Sequence, residues 1–175
     1  MAGHSKWKQI KHKKAASDAK KSKLFTKLAQ LISVEAKKAN GDVNSPGLRA
    51  VVTKARAANM PNDNIDRAIK KASEQKDNYE MIIYEGYGPA GVGIIVEALT
   101  TNRNKAAGEI KHIFSKNGGN LGAIGSVTWS FKKEDGEWNP TITVPLSDED
   151  AEKLETLIDA LEESDEVNAV YTNAE

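Results

Sequence analysis

Nine lysines, Lys6, Lys8, Lys11, Lys13, Lys14, Lys20, Lys21, Lys23 and Lys27, stand against one acid, Asp18, within the first 27 residues. Their chemistry is phosphate neutralisation: an ammonium that displaces condensed counterions from a polyanion gains their release, with no preformed pocket. Trp7, set between Lys6 and Lys8, offers an indole that stacks on a base. Only Trp7, Ile10, Leu24 and Phe25 are large and apolar in this stretch, too few to offset the entropy of ordering residues 1–22, so the sequence predicts a basic flexible arm. The expected nucleic-acid contacts are Lys6, Trp7, Lys8, Lys11, His12, Lys13, Lys14, Lys20, Lys21 and Lys23. A solvated tail that aids solubility is the competing account of a lysine run.

Catalytic chemistry finds little to work with. Of the three histidines, His4 and His12 lie on the arm, where a general base could not be held in place. There is no HExxH and no cluster with metal-ligand spacing, so no metal, no cofactor and no enzymatic activity are expected. Gly86-Tyr87-Gly88-Pro89-Ala90-Gly91 spells G-x-G-x-x-G, but a strand follows it where a dinucleotide fingerprint needs a helix, so it reads as a hairpin loop. Asn102, Arg103 and Asn104, at a strand end and helix start, are placed to meet a phosphate or a peptide carbonyl, and helix capping explains them as well.

The formal charge of zero hides a separation. Residues 1–78 hold 18 Lys and Arg against 7 Asp and Glu, and residues 79–175 hold 7 against 18. A basic front half suits a polyanion, and an acidic back half orients the molecule on it. With no cysteine, disulfides and thiolate metal sites are excluded and a cytoplasmic location is expected. No apolar run approaches membrane-spanning length, so no membrane partner is expected. Nothing fixes the oligomeric state, a monomer being the simplest expectation.

The elements that position these groups follow from hydrophobic period. Leu24, Leu28, Leu31 and Ile32, continued by Ala36 and Ala39, mark a helix from residue 23 that Asn40-Gly41 ends. Ser45 and Pro46 open a second, with Leu48, Val51, Val52 and Ala55 inward. Asp63 opens a third, with Ile65, Ala68, Ile69 and Ala72 inward. Two short helices and a tight turn invite a helix-turn-helix reading, but Asp63 and Asp66 would meet phosphates and base edges. A three-helix domain over 23–78, with Arg49, Lys54, Arg56, Lys70 and Lys71 as a secondary basic surface, fits the charges better; a solvated face is the alternative for any one of them.

From residue 79 the period changes to 2. Strands are predicted at 79–87 and 92–100, a helix at 103–116 capped by Asn102, and a strand at 126–133 with Val127, Trp129 and Phe131 on one face. Asp135-Gly136 turns into a return strand at 141–144 with Ile142 and Val144 inward, and the run from Asn117 to Gly125 is loop. Ser147 starts a helix carrying Ala151, Leu154, Leu157, Ile158 and Leu161, and 167–171 closes the domain. The fold class is α+β: an antiparallel or mixed sheet with two helices on one face, over residues 79–175.

Several motifs together carry a resemblance. Met1-Ala2-Gly3-His4-Ser5-Lys6-Trp7, Ile10-Lys11-His12-Lys13-Lys14-Ala15-Ala16, Asn59-Met60-Pro61 with Asp63-Asn64-Ile65, Glu85-Gly86-Tyr87-Gly88-Pro89, Asn102-Arg103-Asn104, and Gly118-Gly119-Asn120-Leu121-Gly122 with Gly125-Ser126-Val127 resemble the YebC/PmpR family. The resemblance implies an N-terminal helical domain followed by α+β domains. It also implies a DNA-binding transcriptional regulator or, as in related mitochondrial translational activators, a factor that binds the ribosome and its RNA and helps it through difficult, often proline-rich, stretches. The family generally inserts a further α+β domain after the strand matching 126–131, where this sequence has a short turn at about 132–140. Ala90 stands for the usual glycine, and Thr101 where an acid is common. A different class of function, a protein interaction module that holds a basic partner on its acidic last helix, remains open on charge alone.

Overall fold

The computed structural model describes residues 5–15, 17–74 and 76–175. Two compact units emerge, one built on residues 16–79 with the hairpin tip 135–137, the other on 80–134 and 138–175, with which the first helix also groups.

The helical unit contains α2 (Asp18–Lys38), α3 (Pro46–Ala57) and α4 (Asn62–Lys70), the last continued by a 3-10 turn, Lys71–Glu74. Leu28, Leu31, Ile32, Leu48, Ala55, Ile65 and Ala68 are buried, the apolar stripes the period marked. Ser33, buried beside them, donates its hydroxyl to the Ala68 carbonyl at 2.7 Å, so its polar atom costs little. The turns use left-handed residues: Asn40 and Gly41 close α2, and Asn59 (φ 65) lets the Met60 amide reach the Ala55 carbonyl at 3.0 Å. Helix α2 begins at Asp18, ahead of the expected residue 23, which makes Lys20, Lys21 and Lys23 helical residues. Leu24, expected inside, is 40% exposed.

In the α+β unit, β1 (Glu80–Tyr87) and β2 (Gly93–Thr100) form an antiparallel hairpin joined by a 3-10 turn, Pro89–Gly91. Helix α5 (Arg103–Lys116), the short β3 (Asn120–Leu121), the hairpin of β4 (Phe131–Glu134) and β5 (Glu137–Pro140), α6 (Asp148–Glu163) and β6 (Val167–Thr172) follow. The main sheet has the order β3-β1-β2-β6, antiparallel throughout. Every residue of β2 is buried, as expected of a run apolar on both faces. Val92, Ile94, Val96 and Ala98 join Ile110 and Phe114 of α5 and Leu154, Leu157 and Leu161 of α6 in one core; Ile95 meets Val127 and Phe131 on the other face. The fold is the α+β class read from the sequence.

Three local expectations are corrected. Residues 120–121, read as loop, form β3 because Gly86 and Tyr87 pair with them. The strand expected at 126–133 is interrupted by a 3-10 turn at Thr128–Ser130, which rotates Trp129 away from Val127 and Phe131 and leaves it 68% exposed. The return strand is Glu137–Pro140 rather than 141–144, since Asp135 (φ 50) and Gly136 (φ 78) make a two-residue turn that fixes the register directly after it, and Ile142 is half exposed.

Candidate nucleic-acid interface

Residues Lys6–Ala15 are a helix, α1, rather than a flexible arm. Ten residues are too few to hold a helix in water alone, so packing must supply the stability. Trp7 and Ile10, three apart on one face, are 3% and 7% exposed and belong to the core that α6 and the sheet enclose. The Ser5 hydroxyl accepts the Lys8 amide at 3.2 Å and starts the helix; His12, Lys13 and Lys14 in its last turn complement its dipole. Lys6 Nζ lies 3.7 Å from Glu152 and Lys14 Nζ 2.7 Å from Asp159, both acids of α6. The arm's own residues offer too little apolar surface to order it alone. The surface that covers Trp7 comes from α6, more than 140 positions away in sequence. Trp7 is therefore a core anchor, and its indole is not free to stack on a base.

What α1 turns outward is cationic. Lys8, Lys11, His12 and Lys13 are exposed and spread around the part of the helix that Trp7 and Ile10 leave free. Lys20, Lys21 and Lys23 lie in the first turns of α2, in the other unit, with Lys21 exposed. In that unit Arg49, Arg56, Lys70 and Lys71 are exposed and Lys54 is half-buried. The first turn of α4 carries Asp63, also exposed, so that helix offers an acid where a recognition helix meets DNA. His4 lies outside the described residues.

Asn102 acts as the cap expected of it: its side chain accepts the Lys105 amide at 3.0 Å, and its own amide donates to Thr100 Oγ1 at 2.9 Å. Arg103 pairs with Glu80 at 2.9 Å, and Asn104 is exposed.

The group missed in the sequence is Glu85. Its side chain is 5% exposed and accepts three backbone amides, from Gly125 at 2.6 Å, Val127 at 2.9 Å and Thr128 at 2.7 Å. Burial raises its pKa, but the amide bonds from Gly125, Thr128 and Val127 outweigh that and hold it below the usual carboxylate range. Three converging amides are how a loop cradles an anion, and here the chain's own carboxylate fills the cradle. The loop at 125–128, which ends the glycine-rich segment, is thus pinned, and its amides are not open to a phosphate. The hint in the sequence is an acid that directly follows the apolar run Met81–Tyr84 of a predicted strand, because an acid at a buried strand position needs a partner.

Among the described residues no group of three or more His, Asp or Glu is placed to hold a metal, and no helix is long and apolar enough to cross a membrane.

Residues 5–75 match the pattern of the TACO1/YebC protein N-terminal domain, and residues 79–136 and 132–174 match that of the TACO1/YebC second and third domain. The chain belongs to the TACO1/YebC family. The two matches to the second pattern meet at the β4–β5 hairpin. Among TACO1/YebC relatives, a probable transcriptional regulatory protein of Thermoanaerobacter pseudethanolicus is 43% identical over 239 aligned positions, covering 100% of this chain and 97% of the relative. Another so named, from Halothermothrix orenii, is 48% identical over 93% of this chain but only 63% of its own length. The crystal structure of a conserved hypothetical protein, Aq1575 from Aquifex aeolicus, superimposes with a TM-score of 0.71 at 32% identity, covering 90% of this chain and 91% of that one.

Proposed function

We propose that the protein is a non-enzymatic regulator of gene expression that binds nucleic acid through the exposed surface of α1, with Lys8, Lys11, His12 and Lys13 on phosphates and Lys6 flanking them, while Lys14, its ammonium buried against Asp159, is withdrawn from the contact. The observation that carries this reading is the fixed helix itself: Trp7 and Ile10 hold one side of α1 in the core, so its exposed cations are displayed on a backbone that is already ordered before binding. Lys20, Lys21 and Lys23 extend the cationic sequence, and Arg49, Arg56, Lys70 and Lys71 form a secondary surface of the helical unit. The names of the relatives, probable transcriptional regulatory proteins, agree with a nucleic-acid partner.

DNA and ribosomal RNA are both polyanions, and the exposed Asp63 at the start of α4 leaves no base-reading helix there, which favours shape-driven RNA or ribosome contact, and with it a role in translation, over sequence-specific DNA. Co-sedimentation with ribosomes, set against promoter DNA binding in the same salt, decides between them. A binding constant that falls steeply with salt is expected in either case. Salt-independent binding, or none, removes the proposal.

A further inference from the structure

One end of the α+β unit carries exposed aromatic groups that the basic helix does not account for. Trp129 is 68% exposed, Tyr87 37% and Ile124 97%. The two rings are not loose: Trp129 Nε1 donates to the Ser126 carbonyl at 2.8 Å and the Tyr87 hydroxyl donates to the same oxygen at 3.1 Å. Glu85 pins the backbone on either side of Ser126 through Gly125, Val127 and Thr128. With both polar handles taken by one carbonyl, what the rings present is their faces.

The surroundings narrow the occupant. From Asn117 to Ser130, and from Gly86 to Gly93, there is no Asp, Glu, Lys, Arg or His. The two loops therefore bring no charge of their own to a bound group. Helix α6 links this end to α1: Lys6 pairs with its Glu152, and its Leu154, buried on another face of the helix, lies under the β1–β2 loop at Gly88. A strand whose phosphates lie along α1 thus has bases to spare for a charge-free aromatic loop, and stacking on aromatic faces is how unpaired bases are held.

We infer that this end of the unit takes unpaired bases of a nucleic-acid strand, Trp129 and Tyr87 supplying stacking faces. The inference rests on the nucleic-acid reading of α1 and adds single-strandedness to it. The intact chain is titrated with a ten-residue oligouridine, the matching oligothymidine and a duplex of equal length. Both single strands are expected to bind more tightly than the duplex, and a preference between them tells RNA from DNA. Trp129→Ala is expected to weaken single-strand binding about 5- to 150-fold with the salt slope unchanged, and Trp129→Phe to restore most of it. Salt-sensitive binding that ignores Trp129→Ala, or that favours the duplex, overturns this inference alone and assigns the exposed loop to a protein contact. No salt-sensitive binding of any strand overturns the reading of α1 together with it.

Discussion

Lys14 Nζ lies 2.7 Å from Asp159 Oδ1, and this contact joins a helix without acids to one that opens with three. The Lys14 ammonium is buried while Asp159 is still partly open to water, so the pair is a secondary contribution beside the burial of Trp7 and Ile10. Trp7→Ala is expected to cost about 3–5 kcal/mol in urea unfolding, as for other large core truncations. Lys14→Ala should cost less, about 1–3 kcal/mol, because the Asp159 carboxylate it leaves behind is partly open to water. Equal stability of Trp7→Ala and the parent chain would return α1 to the status of a loose arm.

Glu85 links stability to pH. Its pKa is depressed in the folded chain, because its amide bonds outweigh the burial that raises it. Its contribution is therefore fully present above the unfolded carboxylate value of about 4.3 and is lost as pH falls through the lower folded value. Glu85→Gln turns an acceptor into a donor beside amide donors and is expected to cost about 1–3 kcal/mol at neutral pH. Its deficit against the parent should shrink below about pH 4. A deficit that stays constant from pH 7 to pH 3 removes the carboxylate from this role.

How far the sequence reveals this structure depends on where the determining contact lies. Helices α2 to α6 and the β1–β2 hairpin rest on local period, caps such as Asn102 and Ser147, and turn residues, all written within a few positions of each other. Three features rest on distant partners instead. The place of Trp7 is decided by α6, the order of 120–121 by the edge of β1, and the shape of 125–128 by Glu85, some 40 positions earlier. Of the candidate site, the cations were legible as charge, but which of them face outward was not, because that depends on which side of α1 is buried.

Ala90 sits at φ 57, ψ 18, in the left-handed region, between β1 and β2. A residue with a Cβ pays roughly 1–2 kcal/mol there. Glycine removes that strain and returns about 0.4–1 kcal/mol as extra entropy of the unfolded chain. Ala90→Gly is thus expected to raise stability by about 0.5–1 kcal/mol, a Tm increase of about 1–4 °C by calorimetry. Ala90→Val, with a branched Cβ, should lower it; a stabilising valine would mean the loop adopts another conformation.

The glycine before Tyr87 is kept by packing. A Cβ on Gly86 would lie 2.6 Å from Phe114 Cε1 and 2.9 Å from the Asn120 carbonyl, so α5 and β3 both approach too closely for a side chain. Gly86→Ala is expected to cost about 1–3 kcal/mol or more through overpacking. Phe114→Leu in that background should be less damaging than Phe114→Leu alone, since it opens the space the methyl needs. Simple additivity in that double-mutant cycle would place the strain elsewhere.

The outward cations can be tested without disturbing the fold. Lys8, Lys11 and Lys13 are exposed, so changing all three to glutamine should leave urea unfolding within about 0.5 kcal/mol of the parent. If each meets a phosphate, the slope of log K against log salt should fall by about 0.7 per contact on a single strand and about 0.9 on duplex DNA. Arg49→Gln with Arg56→Gln, on the helical unit, measures the secondary surface in the same way, and a larger drop in slope from that pair would move the main contact off α1. Removing residues 1–22 is the poorer experiment, because it takes Trp7 and Ile10 out of the core and confounds lost binding with lost folding.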